Sequence, residues 1–315
     1  MVALHYKFKD KMQIAHYFRV VARKKTYQKN QIMIRIAAVT ILYHPSESII
    51  QNLLSYCRDV EVLFIMDNSD KNNPLIQEKL PFPNIVYLHD GMNEGIAKRL
   101  NQAAALAMAK GFHWMLTMDQ DSYFELGAFP QFVSYINSCE LKNSTAVFGV
   151  NYAEPVIGKC EFREVPLVIT SGSILNLKIF EKIGYFDENL FIDEVDSEYC
   201  YRVRLSGFKI LECTGINLHH LLGEIKMGRS LKSGKYTPRR LHAPIRLYYM
   251  VRNYFYVQHK LPLITATEKK EMKRGLLVRI KNNLIYNPQR WQVIKYIAKG
   301  YLDYSRNKMG KINTN

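Results

Sequence analysis

Asp119 and Asp121, one residue apart in the stretch "LTMDQDSYF", close an apolar run with two adjacent negative charges. Acids that close repel each other unless something positive lies between them, be it a metal ion, a lysine or merely water. Carboxylates at a strand end supply hard oxygen ligands on a rigid base, which suits a divalent cation carried with a phosphate-rich ligand. For the triplet alone, a solvated turn after a strand is the slightly better reading. A second acid-rich stretch, "FIDEVDSEYCYR", holds Asp193, Glu194, Asp196 and Glu198, followed by Arg202 and Arg204. Helical spacing puts Asp196 and Glu198 on different faces, so both reach one cleft only if the segment opens in a loop. One such carboxylate could take the proton of an attacking hydroxyl. A helix start enriched in acids by its macrodipole reads equally well. His219 and His220 end an apolar segment before "LLGE". A histidine beside two aspartates completes a metal site, whereas alone it is more often structural.

Other chemistries lose their usual support. The chain has no GxxxxGK[ST] loop, no GxGxxG after its first strand and no HExxH pair. It has no GxSxG elbow either, "TSGSI" being the nearest run.

The elements that must position these acids follow from periodicity. Ile34 to Tyr43 is a nearly continuous apolar and β-branched run, as in a strand buried on both faces. A helix "SESIIQNLLSYCRDV" with Ser46 as N-cap comes next, then the strand "EVLFIMDNS". The helix "LIQEKL", the strand "NIVYLHD", an alanine-rich helix stopped by Gly111 and the strand "HWMLTMD" continue the alternation. Such βαβ order predicts an α/β fold with a mostly parallel sheet and helices on both faces. Ligands of these sheets bind beyond the carboxyl ends of the strands. Three of those ends carry Tyr43, Asp67, and Asp119 with Asp121, which should converge on one cleft. Beyond Ser122 the pattern predicts a helix "AFPQFVSYINSC", strands "TAVFGVNY" and "PLVITSGSILN", and a helix "LKIFEKIGYF". Residues 240–315 read as helices rich in Tyr, Arg and Lys.

Length and composition fit one large folded domain with appendages: 315 residues, 48% hydrophobic and 12% aromatic. No apolar run is long enough to span a bilayer, and no secretory signal is expected. The five cysteines are odd in number and widely spaced, and are expected to be reduced thiols of a cytosolic protein. The net charge of +16 is unevenly placed: +8 in residues 1–35, +9 in 264–315, and about −1 between. Basic ends with interleaved aromatics suit an anionic membrane surface or nucleic acid, and otherwise serve as solvated helices. In the first segment Phe8, Met12, Ala15 and Val20 recur at helical spacing, as in a basic amphipathic helix. Met33 offers an alternative start that would leave that segment without function.

Taken together, "AAVTILYHP", "FIMDNSD", "NEGIAKRLNQA", "LTMDQDS", "ITSGSILN", "IGYFDENLFIDEVDSEYCYRVRLSGF" and "LYYMVRN" resemble, in order and spacing, the family 2 glycosyltransferases of the GT-A fold. The likeness is greatest to rhamnosyltransferases of bacterial surface-polysaccharide synthesis, and it covers about residues 34–258. With the charge distribution it divides the chain into a basic arm at 1–33, a GT-A domain at 34–239 and a basic helical region at 240–315. By position it implies that Tyr43 and Asp67 hold the nucleotide, with Gly95 leaving room beside it. Asp119 and Asp121 match the Asp-x-Asp pair, Asp121 being the metal ligand with His220, although the doubled histidine leaves His219 open. Asp196 matches the catalytic base and Glu198 the acid two residues later. Arg246 and Arg252 match diphosphate contacts. Leu100 stands where many relatives have arginine, and Lys98 or Arg99 would substitute.

The implied chemistry is an inverting single displacement using Mg2+ or Mn2+. The donor would be a nucleotide sugar such as dTDP-rhamnose and the acceptor a lipid-linked saccharide, at the cytoplasmic face of a membrane. The competing readings are a non-catalytic sugar-nucleotide-binding protein, and a nucleic-acid-binding protein using its basic ends. The neutral middle carries no nucleic-acid reader motif, and no nucleic acid partner is expected.

Overall fold

Chain segments that bury both faces become central strands, and Ile36–Leu42 (β1) does so at every residue. A computed structural model describes residues 34–152, 161–220, 225–229 and 233–313. The expected N-terminal amphipathic helix lies outside the described residues. From β1 the chain runs through Ile49–Leu54 (α1), Val62–Asp67 (β2), Pro74–Lys79 (α2), Ile85–His89 (β3), Gly95–Ala109 (α3) and Trp114–Asp119 (β4). The alternation is the expected one. Helix α1 is shorter than its apolar pattern suggested, and Ser46 is not its N-cap. The helix begins after Ser48, and Ser46 Oγ lies 2.8 Å from Ser48 Oγ instead.

The second half is less regular. Ser122–Phe124 (β5), Ala128–Ser138 (α4), Thr145–Asn151 (β6), Phe162–Glu164 (β7), Ser173–Asn176 (β8) and Leu177–Ile183 (α5) precede Val195–Leu205 (α6) and Lys209–His220 (β9). The run "PLVITSGSILN" shortens to β8, where Gly172 and the turn at Thr170 interrupt the ladder. Asn176 caps α5 by accepting the Ile179 N–H.

The strands form one sheet in the order β3-β2-β1-β4-β8-β6-β9-β5, with β7 also on β9. Pairing is parallel from β3 to β4 and between β6 and β9, and antiparallel at β8, β5 and β7. The parallel half matters for the site because it ends its strands on one edge. Phe64, Met66, Ala97, Leu100, Ala103 and Met115 belong to one continuous buried cluster, which places α3 against that half.

A hairpin of Ile225–Arg229 (β10) and Tyr236–Arg240 (β11) leads to Pro244–Lys260 (α7), Ala266–Tyr286 (α8) and Arg290–Ser305 (α9). Helix α8 starts at a capping box between Thr265 and Glu268. Helices α7 and α9 cross closely at Gly300, where a Cβ would lie 2.6 Å from the Tyr248 carbonyl. These helices are not a detached tail, since Arg35–Asn315 forms one compact unit. Lys260, at the end of α7, pairs with Asp187 at 2.6 Å and with Glu198 at 2.7 Å. Cys57, Cys139 and Cys200 are free thiols, but Cys213 is disulfide-bonded, which corrects the expectation of five reduced cysteines.

Candidate active site

Register brings the strand ends level. Asp67 pairs with Leu42, and Asp119 pairs with Ile41, so the ends of β2, β1 and β4 finish side by side. Gln120, between the two acids, fastens the next residue of the edge. Its Oε1 accepts the Tyr43 N–H at 2.9 Å and its Nε2 donates to the Tyr43 carbonyl at 3.3 Å. Tyr43 itself is exposed at this edge. The chain then turns into β5, which runs antiparallel to β9 with Ser122 opposite His220 and Tyr123 opposite His219.

Neighbours on a strand point to opposite faces, and this separates the two histidines. His219 stacks on Tyr123 at 4.5 Å and meets Glu125 at 3.1 Å. His220 turns to the other side, where its Nδ1 lies 2.7 Å from Ser122 Oγ and 3.4 Å from Asp121 Oδ1. Asp119, Asp121 and His220 then each offer a ligand atom, all within 4.8 Å of one another.

The charges in this cluster are not balanced. Burial pushes the Asp119 carboxyl up to about 6, with Asp121 and Asp196 adding to the rise and His220 opposing it. His220 is raised in turn, first by its contact with Asp121. Asp121 Oδ1 is buried without a hydrogen-bond partner. His220 Nδ1 at 3.4 Å is a long contact for a buried carboxylate oxygen without a hydrogen bond, and a cation between the three ligands would relieve it. The donor set therefore fits Mg2+ or Mn2+.

Two more groups face the cluster. Arg246, on α7, is held by Asp193 at 3.0 Å and interacts electrostatically with Asp119 and Asp121, so its guanidinium is held charged by Asp193 first. Asp196 is the second residue of α6 and accepts the Ser197 N–H at 2.8 Å. Burial raises its carboxyl, with Asp193 adding to the effect. Asp196 is also close enough to raise Asp119 and the Tyr152 hydroxyl. A buried carboxyl with raised proton affinity beside a cluster that could hold a cation is chemically able to take up a proton.

What aims Asp193 and Asp196 is a strained loop. Phe191, Asp193 and Glu194 have φ values of 54°, 64° and 63°, each a disfavoured conformation for a residue with a Cβ. Asn253, buried on α7, donates from Nδ2 to the carbonyls of Leu190, Ile192 and Asp193 at 2.8, 2.7 and 3.0 Å. On the other side Ile96 N–H donates to the Phe191 carbonyl at 2.6 Å, and the Phe191 ring stacks on Tyr249 at 5.1 Å. Gly95, at φ 81°, allows this approach, because a Cβ would lie 2.6 Å from Phe191.

Several expected contacts are placed elsewhere. Arg252 is fully buried and donates to the carbonyls of Asn189 and Gly310, to Tyr248 and to Asn253 Oδ1, so it holds the loop and is not free for a diphosphate. The space Gly95 provides is for Phe191, not beside an open cleft. Lys98 pairs with Glu94, one turn back, and is not brought to the cluster. Arg99 is buried against Asp90, Asn68 and the Met92 carbonyl, where it fixes the loop before α3. Glu198 is buried in ion pairs with Arg202 and Lys260, one helical face away from Asp196. Asp67 is buried, with Oδ1 accepting from Ser69 N–H and Oδ2 from the Tyr87 hydroxyl. Gln120, Ser122, Asp193 and Asn253 complete the site. Asp193 is among the acids of the second acid-rich stretch, whereas only adjacency to Asp119, Asp121 and Arg252 marks Gln120, Ser122 and Asn253 in the sequence.

A mixed α/β sheet with acids at its parallel strand ends and a helical C-terminal region is a GT-A architecture. The chain belongs to glycosyl transferase family 2, whose model matches residues 40–197. It is similar to the dTDP-rhamnosyl transferase RfbF of Shigella flexneri, with 27% identity over 60% of this chain and 70% of that one. It is also similar to the low-salt glycan biosynthesis hexosyltransferase Agl10 of Haloferax volcanii, with 22% identity over 62% and 70%. Among solved structures, S. aureus TarS with UDP-GlcNAc shares the fold, at a TM-score of 0.54 and 14% identity, covering 86% of this chain and 81% of that one. GalNAc-T7, solved with UDP, GalNAc and Mn2+, gives 0.53 and 13%, covering 89% of this chain and 59% of that one. The chain thus spans about three-fifths of the length of GalNAc-T7.

Two predictions concern the loop and its surroundings. Asn253→Ala leaves buried carbonyls unpaired and is expected to cost about 1–3 kcal/mol in urea unfolding, with the acidic loop gaining hydrogen exchange first. His242, just before α7, has its imidazole lowered to about 4 by burial first and by Arg246 second. It resists protonation in the folded protein, while the unfolded chain takes a proton near the ordinary 6.5. Stability is therefore lost as pH falls from that value toward about 4. Thermal unfolding across this window should narrow or reverse any advantage of wild type over His242→Gln as pH falls.

Proposed function

We propose that this protein is an inverting, metal-dependent glycosyltransferase that moves rhamnose from dTDP-rhamnose to a lipid-linked saccharide in surface-polysaccharide synthesis. The observation that carries the reading is the Asp119–Asp121–His220 cluster facing Asp196 and Arg246. The rhamnosyl relative supports the choice of sugar, since RfbF is named for a dTDP-rhamnosyl donor.

In this reading Tyr43 and the floor of the pocket at Asp67 receive the nucleotide at the ends of β1 and β2. Mg2+ or Mn2+, held by Asp121 and His220 with Asp119, would neutralise the charge of the departing diphosphate. Arg246, kept in place by Asp193, supplies a fixed cation to the same oxygens. Asp196 accepts the proton of the acceptor hydroxyl as that oxygen attacks the anomeric carbon from the face opposite the leaving group. Its raised carboxyl makes it a better base than an ordinary exposed aspartate. One displacement at that carbon inverts its configuration.

Attachment to an anionic membrane surface is supported by the C-terminal helices. Trp291 is 84% exposed, and Ile294, Tyr301 and Leu302 on α9 are exposed with it. Residues 264–315 carry a net charge of +9. Among the described residues no helix is long and apolar enough to cross a membrane. Lying on the surface by an apolar face ringed with lysines suits these facts.

Two tests follow. Asp121→Ala, or EDTA, should abolish rhamnosyl transfer, while Asp196→Asn should lower kcat by about 10²–10⁴-fold with donor affinity retained. Full activity of the Asp196 variant would refute the base. Replacing Trp291 and Ile294 by serine should weaken sedimentation with phosphatidylglycerol vesicles, and undiminished binding would remove α9 as the contact.

A further inference from the structure

Beside the cleft lies a cavity of about 500 Å³ between the end of β11 and helix α8. Its walls include Arg240 from β11 and Arg274 and Arg279 from α8. None of the three guanidiniums has a hydrogen-bond or ion-pair partner among the described residues, and Glu271 is the one acid in the wall. Three unpaired arginines around one hollow repel each other and lower the energy of any anion that enters.

Two uncharged side chains make the hollow more than a patch of surface charge. Asn282 is buried with Oδ1 lacking a hydrogen-bond partner, and His242 has Nε2 buried in the same condition. A buried polar atom without a protein partner is open to a hydrogen bond from a ligand. A neutral His242 donates from Nε2 when its proton sits there, and the Asn282 amide presents Nδ2 on a half-turn. Both then add neutral donors to the cationic ones.

The electrostatic neighbours of the cavity fix which side of the cleft it serves. Arg279 acts on Glu194 and on His242, and Arg240 acts on His220, Tyr152 and His242. Glu194 belongs to the loop that carries Asp196. The contacts of Tyr43 and Asp67 involve Gln120, Ser69 and Tyr87, none of which lines the cavity. The cavity therefore neighbours the loop that carries Asp196 and the His220 edge of the acidic cluster, and not the ends of β1 and β2.

We propose that this cavity binds the diphosphate of the acceptor, the group that joins its sugar to an isoprenoid lipid. The inference rests on the transferase reading above. A diphosphate seated among Arg240, Arg274 and Arg279 would direct the attached sugar toward the loop that carries Glu194 and Asp196. The exposed Leu277 and Val278 of α8 offer apolar surface to the first isoprene units.

Isothermal titration of the full chain with citronellyl diphosphate, and with dTDP and Mg2+, tests this. Arg274→Ala with Arg279→Ala should weaken citronellyl diphosphate by roughly tenfold or more, a charge-assisted contact being worth about that factor, and leave dTDP affinity unchanged. Arg240→Ala, on the opposite wall, should give the same selective loss, which separates recognition from damage to α8. An equal loss of dTDP would make the cavity part of the donor site and overturn the proposal. So would unchanged binding of both ligands, or citronellol binding wild type as tightly as its diphosphate. If wild type binds dTDP and hydrolyses a sugar nucleotide while any of these results holds, the transferase reading survives without the cavity. If wild type does neither, that reading falls and takes the proposal with it.

Discussion

The buried side chain of Asn253 and its contact with the carbonyls of Leu190, Ile192 and Asp193 is the constraint on which the site depends. Three residues of this loop hold positive φ, and each such residue costs on the order of 1–3 kcal/mol unless its surroundings impose the conformation. The imposition is mutual. Arg252 donates to Asn253 Oδ1 and fixes the amide so that its two hydrogens face the loop. Arg252 is fixed in turn by the Gly310 and Asn189 carbonyls and by the rings of Tyr248 and Tyr249. From the opposite side α3 supplies the Ile96 N–H and the missing Cβ of Gly95. The acidic loop is thus clamped between the first half of the sheet domain and the C-terminal helices.

That clamp decides an electrostatic problem. Asp119, Asp121, Asp193 and Asp196 would repel each other in any arrangement that let them relax toward water. The loop instead commits Asp193 to Arg246 and leaves Asp196 with a single backbone donor. The two acids have similar sequence surroundings and opposite environments: one is neutralised by a guanidinium, and the other is buried with its proton affinity raised. The difference between an acid paired with a guanidinium and one with a raised proton affinity comes from the backbone that places them and not from residue type.

The elements and the carboxylates were legible in the sequence because both are written locally. Continuous apolar runs marked β1, β2 and β4, and parallel register then required Asp67 and Asp119 to finish beside Leu42 and Ile41. The choice between His219 and His220 could not be made from their spacing. It follows from pairing with β5, because the residue opposite Ser122 faces Asp121 and its neighbour does not. Arg252 and Gly95 were located by motif but given the wrong neighbours. An arginine and a glycine near a phosphate site suggest the ligand, while here they serve a loop brought in from about 60 residues and about 95 residues away in the chain respectively. Ser46 and the shortened β8 failed for a simpler reason. A good capping residue and an apolar run describe what a segment tolerates, and the turn at Thr170 and Gly172 settled what it forms.

The C-terminal helices therefore do more than carry basic charge. Arg246, Arg252 and Asn253 lie on a single helix, α7, which crosses α9 closely at Gly300 and packs on α8 through Leu276 and Met272. Lys260 ties its far end to Asp187 and Glu198, the latter on the same helix as Asp196. A helix held at both ends and through its middle cannot shift without moving the acidic loop. A displacement of α8 or α9 would therefore be felt, through α7, at Asp193 and Asp196. Coupling of that kind needs only packed elements with little room to yield, and the fully buried Arg252 leaves none between α7 and the loop.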